Sequence, residues 1–178
     1  MQEEDSANGT EAFATAIAAE IPRLRRFARV LARGGDAADD LVQETLLRAI
    51  SAREQFEPGT NLRAWLFTIL RHARAANLRR ASRSPIMEAE TLPESPVSGG
   101  QEERQAMRDV ATAFRKLARI HREALWLVVV EGLDYAEAAR ILNVPPGTLR
   151  SRLSRAREAL REGIGGSPID FASEDEEG

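Results

Sequence analysis

The stretch EGLDYAEAARILNVPPGTLRSRLSRAREALRE, residues 131 to 162, decides the fold. It divides into two helical segments around a tight turn. The first, about Tyr135 to Leu142, sets Ala136, Ala139 and Leu142 on one face. Asn143 ends it, because Asn tolerates the left-handed backbone that closes a helix. Pro145 and Pro146 forbid continuation, and Pro146 suits the first turn of the next helix, where a missing N–H has no partner to lose. Thr148 sits in that first turn or caps it. The second segment spaces Leu149, Leu153, Ala156 and Leu160 as one apolar stripe. Off the stripe stand Arg150, Ser151, Arg152, Ser154, Arg155 and Arg157. A short helix, a turn and an Arg/Ser-faced helix match a helix-turn-helix that reads DNA. A helical hairpin with a solvated basic face is the plainer alternative.

Outward from this stretch, the chain has 178 residues, enough for one domain or two small ones. Apolar residues make up 43% and aromatics only 5%, with few β-branched runs, which favours helices. There is no cysteine, so disulfides, thiolate metal sites and thiol catalysis are excluded. His72 and His121 lie far apart in sequence, which disfavours a histidine metal site. No P-loop, GxSxG elbow or HExxH occurs, so neither an enzyme nor a bound cofactor is expected. The longest apolar run, residues 124 to 130, is far short of a membrane span, and MQEEDS lacks a signal-peptide pattern. A cytoplasmic protein is expected.

The net charge of -3 hides segregation. Residues 61 to 83 carry six arginines and no acid, residues 148 to 162 carry +3, and residues 170 to 178 carry -5. Phosphate attraction depends on such local clusters rather than on the whole-chain balance.

The N-terminal side reads as three helices. Residues 1 to 10 are polar, acidic and expected to fray. A helix comes next over Glu11 to Arg33, with Ile17, Ile21, Leu24, Phe27, Ala28 and Leu31 at helical spacing and Pro22 marking a kink or fresh start. The second spans Asp36 to Arg53, with acids in its first turns and Leu41, Thr45, Leu46 and Ala49 toward a core. Asp40, Gln43, Glu44 and Leu47 make a second stripe, either a solvated face or a docking face for a partner helix. Pro58-Gly59 is turn chemistry, and Thr60 can cap the next helix. This third helix spans Asn61 to about Ala81. Leu62, Trp65, Leu66, Ile69, Leu70 and Ala73 bury one side, while Phe67, Arg71, Arg74 and Leu78 hold another stripe. Its arginines suit phosphates. Phe56 and Trp65 could stack on unpaired bases, although core is the plainer role for Trp65.

Residues 82 to 105, rich in Pro, Gly, Ser and Glu, read as a flexible linker. Helices over Ala106 to Ile120 and Arg122 to Val130 precede the helix-turn-helix. Val110, Phe114 and Leu117 stripe the first, and Ala124 to Val130, apolar nearly all round, should be a buried centre. His121 reads as a cap or surface residue. Residues 164 to 178 form an acidic tail without expected fold. The expected organisation is therefore all-α, with helical domains at residues 11 to 81 and 106 to 163.

Three motifs in order, DDLVQETLLRA (39 to 49), FEPGTNLRAWLFTILRH (56 to 72) and HREALWLVVVEGLDYAEAARILNVPPGTLRSRLSRAREAL (121 to 160), resemble bacterial RNA polymerase sigma factors of the extracytoplasmic-function group. The PGTNLRAWLFTIL stretch looks like the branch that runs the alphaproteobacterial general stress response. The resemblance implies two domains, sigma regions 2 and 4, that recognise the -10 and -35 promoter elements. Asp40, Gln43, Glu44 and Leu47 then match the face that docks on the clamp helices of the largest subunit of core RNA polymerase. The loop Phe56 to Asn61 matches the one that receives a flipped -10 base. Arg63, Arg71, Arg74, Arg79 and Arg80 would lie near -10 DNA, and His72 stands where the family usually has the Asn lining the base pocket. Ala73 to Asn77 also depart from the family's aromatic or acidic residues, which implies an altered -10 preference or a weak paralogue, and Ala118 replaces a frequent proline. Thr148, Arg150, Ser151, Ser154 and Arg155 match the -35 major-groove face. An anti-sigma factor is an implied partner, beside core polymerase and promoter DNA. Two other readings remain: a stand-alone helix-turn-helix regulator, and a sigma-like decoy for an anti-sigma factor.

Overall fold

The computed structural model describes residues 2–32, 35–81 and 101–164. Seven α-helices and no strand occur among them: α1 (Gln2–Leu31), α2 (Gly35–Ser51), α3 (Leu62–Ala81), α4 (Gln101–Lys116), α5 (Arg119–Leu125), α6 (Tyr135–Leu142) and α7 (Pro146–Gly163). None is long and apolar enough to cross a membrane. Most of the linker expected at 82 to 105, and nearly all of the acidic tail, lie outside the described residues.

Helices α1 to α3 bury Leu24, Phe27, Leu31, Leu66 and Leu70 where the spacing places them. Phe67 differs from expectation. It is fully buried, with its ring centroid 4.9 Å from that of Phe27, so the second stripe of α3 is apolar core at one end and basic at the other. Thr45 is tolerated in this core because its hydroxyl donates to the Leu41 carbonyl at 2.7 Å. Pro22 neither ends nor restarts α1, which runs through it as one helix. The proline is exposed, so the carbonyl it strands faces the wet side of the helix. α1 also begins well before the expected Glu11.

The turn between α2 and α3 is a 3₁₀ turn, Arg53–Gln55, followed by Gly59 at φ +89°, a value that favours glycine. The cap of α3 is not Thr60. Asn61 Oδ1 accepts from the Ala64 N–H at 3.1 Å, whereas the Thr60 hydroxyl donates back to the Glu57 carbonyl.

In the second half, Leu127, Ile141, Leu142, Leu149, Leu153 and Leu160 are fully buried. Asn143 is left-handed (φ 51°, ψ 53°) and Pro146 opens α7, as the turn chemistry requires. Asp134 caps α6 by accepting from Glu137 N–H at 2.6 Å. The apolar run is only partly a buried centre. Trp126–Val130 winds as a π-helix, and its wider turn leaves Val129 and Val130 about half exposed. At the far end of α7 a Cβ on Gly163 would fall 2.8 Å from Ala113 Cβ, so the glycine lets α7 close onto α4.

The two halves also pack on each other, which the flexible-linker reading did not anticipate. α3 lies against α6, and α1 against α5.

Candidate nucleic-acid interface

The candidate recognition helix is the simplest part. α7 buries its leucine stripe and leaves Arg150, Ser151, Ser154 and Arg155 exposed. The Ser151 hydroxyl donates to the half-buried Thr148's carbonyl at 2.9 Å, a bond confined to the first turn and easily exchanged for a DNA acceptor. Behind this face sits His121. Burial, then the nearby Arg155 and Arg152, hold its pKa below the ordinary imidazole value, which favours the neutral ring.

On α2, Asp40, Gln43 and Leu47 are exposed, and Leu47 at 68% is an uncovered leucine on a well-packed helix. Glu44 is bound inside the protein. Its carboxylate accepts from Arg48 (2.6 Å), Asn77 Nδ2 (2.9 Å) and Arg80 (3.0 Å). Burial pushes the Glu44 carboxyl up, but these three donors outweigh it and hold the pKa below the ordinary value. Glu44 thereby ties α2 to the C-terminal end of α3. A shallow groove beside it is lined by Leu47, Arg48, Ile69 and His72, so the exposed His72 opens toward the α2 face.

The -10 candidates divide into two groups. Phe56 is half-buried in a ring cluster, with centroids 5.3 Å from Trp65 and 5.8 Å from Phe13. Phe13 and Thr10, which hydrogen-bonds Arg53, reach this loop from α1. Trp65 is accordingly neither fully core nor free. Arg79 and Arg80 lie exposed at the end of α3, and Arg74 is half-buried.

Asn61, Arg63 and Arg71 are engaged by the second half. Asn61 Nδ2 donates to Glu137 Oε1 at 2.8 Å. Arg63 pairs with Glu20 at 3.0 Å and also reaches the Glu131 carbonyl at 3.4 Å. Arg71 donates to the Ile141 carbonyl at 2.9 Å, and its Nε lies 3.5 Å from Glu123 Oε2. The Glu123 and Glu131 side chains are each 1% exposed. Arg23 approaches Glu131 at 3.7 Å, and Trp126 Nε1 donates to it at 3.1 Å. Burial nonetheless dominates and raises the Glu131 pKa, against the lowering effects of Trp126, Arg26, Arg63 and Arg23.

Phe13 and Glu20 lie outside the sequence motifs and Glu123, Glu131 and Glu137 lie within the third without a role of their own, and the sequence reading missed all five as parts of this site. A signal existed for two. Glu123 and Glu131 flank the longest apolar run, where a carboxylate is destined for burial and needs basic partners. Among the described residues, no group of three His, Asp or Glu could hold a metal ion.

Comparison with known proteins gives the family. Residues 17–75 match the Sigma2 domain of PhyR, and residues 107–160 match Sigma-70 region 4. The ECF RNA polymerase sigma factor EcfG of Rhodopseudomonas palustris is 42% identical over 155 residues, 85% of this chain and 84% of the relative. SigC of Mycobacterium tuberculosis is 40% identical over 137 residues, covering 76% of this chain and 74% of SigC. The fold superposes on RpoE of Bartonella quintana, solved in complex with the anti-sigma factor NepR, with TM-score 0.76 and 33% identity over 89% of this chain and 99% of that one. The order of the two matched regions and the extent of these alignments show that the chain belongs to the extracytoplasmic-function sigma factors of bacterial RNA polymerase, in the branch represented by EcfG and the NepR-bound RpoE.

Proposed function

We propose that this chain is a promoter-specificity subunit that binds core RNA polymerase and directs initiation at promoters with -35 and -10 elements. The observation that carries the reading is the exposed Arg150, Ser151, Ser154 and Arg155 face on a helix-turn-helix, in one chain with the uncovered Asp40, Gln43 and Leu47 face of α2. α7 reads -35 duplex in the major groove. α2 docks on the clamp helices of the polymerase's largest subunit. The loop ending at Asn61, with Phe56 and His72, captures a -10 base, and Arg63, Arg71, Arg74, Arg79 and Arg80 hold the strands by their phosphates. The complex of RpoE with NepR supports an anti-sigma factor as a further partner, engaged in a stress response.

A second reading has its own support. The family model that matches residues 17–75 is the Sigma2 domain of PhyR, and PhyR of Bartonella quintana is an anti-anti-sigma factor. A decoy of that kind would bind an anti-sigma factor and no promoter. Reconstituted transcription with purified core polymerase on a promoter library separates the two. The sigma reading requires promoter-dependent transcripts, and their absence leaves the decoy. Asp40→Ala should reduce core binding whatever the promoter.

A further inference from the structure

We propose that Asn77 is a positioning residue that, together with Glu44, fixes the guanidinium of Arg80 at the end of α3 in the orientation that receives a -10 phosphate. The proposal rests on the reading of Arg80 as a -10 contact. Asn77 and Arg80 stand one turn apart on α3, and both reach the same carboxylate on α2. Asn77 Nδ2 donates to Glu44 Oε2 at 2.9 Å, and Arg80 Nη2 donates to Glu44 Oε1 at 3.0 Å. Arg80 Nη2 donates again to Asn77 Oδ1 at 2.8 Å. The three side chains therefore close a ring in which each is bonded to the other two. Arg48 donates to Glu44 Oε1 at 2.6 Å from one turn further along α2, so the carboxylate is held by its own helix as well.

The ring uses one nitrogen of the guanidinium and leaves the others. Two acceptors take both N–H groups of Nη2, and the three on Nη1 and Nε remain for a ligand. The Arg80 side chain is 64% exposed and that of Glu44 only 27%, so the guanidinium meets solvent while the carboxylate that holds it is half-buried. Arg48 and Arg80 surround a single carboxylate, and the net positive charge left over favours a phosphate. An exposed arginine loses rotamer freedom when it takes a phosphate, and here part of that ordering is already done in the folded chain. An amide suits the place of Asn77, because it donates to the carboxylate and accepts from the guanidinium at once. Asn77 belongs to the stretch that departs from the family's aromatic or acidic residues, and the ring gives that departure a role that needs no contact with a base.

The test is a titration of holoenzyme, assembled from the full chain and core polymerase, with fork DNA carrying a single-stranded -10 segment at several salt concentrations. Arg80→Ala should weaken binding about fivefold and lower the salt slope by about one. Asn77→Ala should weaken it about threefold, and Asn77→Gln, which keeps both amide functions, should lose less. The double variant Asn77→Ala/Arg80→Ala should bind no worse than Arg80→Ala alone, because Asn77 acts through that guanidinium. Affinity for core polymerase and for -35 duplex should be the same in Asn77→Ala as in the parent. In the free chain, the nuclear Overhauser effect at Arg80 Nε–Hε should report an ordered side chain, and Asn77→Ala should lower it. A loss from Asn77→Ala that persists undiminished in the Arg80→Ala background overturns the proposal, as does an Arg80 Nε–Hε group equally mobile with and without Asn77. If Arg80→Ala weakens -10 binding and Asn77→Ala does not, the positioning claim fails and the -10 reading of Arg80 stands. If Arg80→Ala itself has no effect, that reading has failed and the proposal with it.

Discussion

Helices α3 and α7 both point arginines at DNA in the proposed function, yet they meet solvent in opposite ways. α7 holds Arg150 and Arg155 in water above a stripe of buried leucines. α3 gives Arg63 and Arg71 to carboxylates and carbonyls supplied largely by the rest of the chain. The difference comes from the neighbours. Among the described residues α7 packs on α4, α5 and α6, and Arg150, Ser151, Ser154 and Arg155 stay exposed outside that packing. α3 is enclosed by α1, α2 and α6, and its buried surface extends to Phe67, so its arginines emerge where another element is already close. An exposed guanidinium can take a phosphate at once, whereas a covered one must exchange partners first.

The largest effect tests whether the halves are one cooperative unit. Phe67→Ala removes a fully buried ring from the first half and should cost about 3–5 kcal/mol. If α3 and α6 are truly packed together, the second half should lose stability with it, and near-ultraviolet dichroism from Trp126 should melt at the same lowered temperature as that from Trp65. A Trp126 transition unmoved by the substitution would show two independent halves and dissolve the contrast between a covered and an open helix.

Arg150→Ala comes next and sharpens the open side. It should weaken -35 duplex binding by about 1–3 kcal/mol and shallow the salt dependence, with or without core polymerase, because nothing has to move first. The corresponding loss at Arg71 should emerge only when polymerase is present. Gel-shift titrations at several salt concentrations measure both. An unchanged -35 preference for Arg150→Ala would refute the recognition-helix assignment.

Much of this was legible in the residues, for reasons that differ between the two helices. Leu149, Leu153, Ala156 and Leu160 reveal α7 because burial there depends on one face of one helix, which periodicity encodes. Asn143 and Pro146 reveal the turn because their backbone preferences are local. The state of Arg63 and Arg71 was not legible. It depends on Glu20, Glu123 and the Glu131 and Ile141 carbonyls, 43 to 70 residues away in the chain, and no local pattern records which helix they face. Asn61 was placed in the right loop but given only a DNA role, and Thr60, an equally good capping type, took its structural one. The π-helical winding at Trp126–Val130 had no signal either, since an apolar run looks the same at any helical pitch.

Phe13→Ala tests the support of the proposed -10 loop from α1. Its ring contacts with Phe56 and Trp65 are worth about 0.5–1.5 kcal/mol each beyond the buried area, and their loss should loosen that loop more than it destabilises the fold. Permanganate footprinting of open promoter complexes should show reduced -10 melting with -35 binding intact, and Phe13→Leu should restore only part of it.

The smallest expected effect separates two carboxylates, the buried Glu131 and the half-buried Glu44, by the sign of their pH dependence. Burial holds the Glu131 pKa above the ordinary 4.5, so the native protein binds that proton more tightly than the unfolded chain does. Its contribution to stability is full below 4.5 and is lost as pH rises through the native pKa. Glu44 is the reverse. Burial opposes its charge, but Asn77, Arg48 and Arg80 prevail, so its contribution is present above 4.5 and is lost as pH falls through the lowered native pKa. Glu131→Gln keeps an acceptor for Trp126 while removing the charge, and should be neutral or stabilising by about 1 kcal/mol near neutral pH, with a flatter profile above 4.5 than the parent. Glu44→Gln should be destabilising near neutral pH and converge on the parent in acid. Denaturation midpoints across the acid-to-neutral range give both profiles. A destabilised Glu131→Gln at neutral pH would mean that Arg23, Arg26 and Arg63 overcome burial, making its charge a bond between the halves rather than a cost of bringing them together.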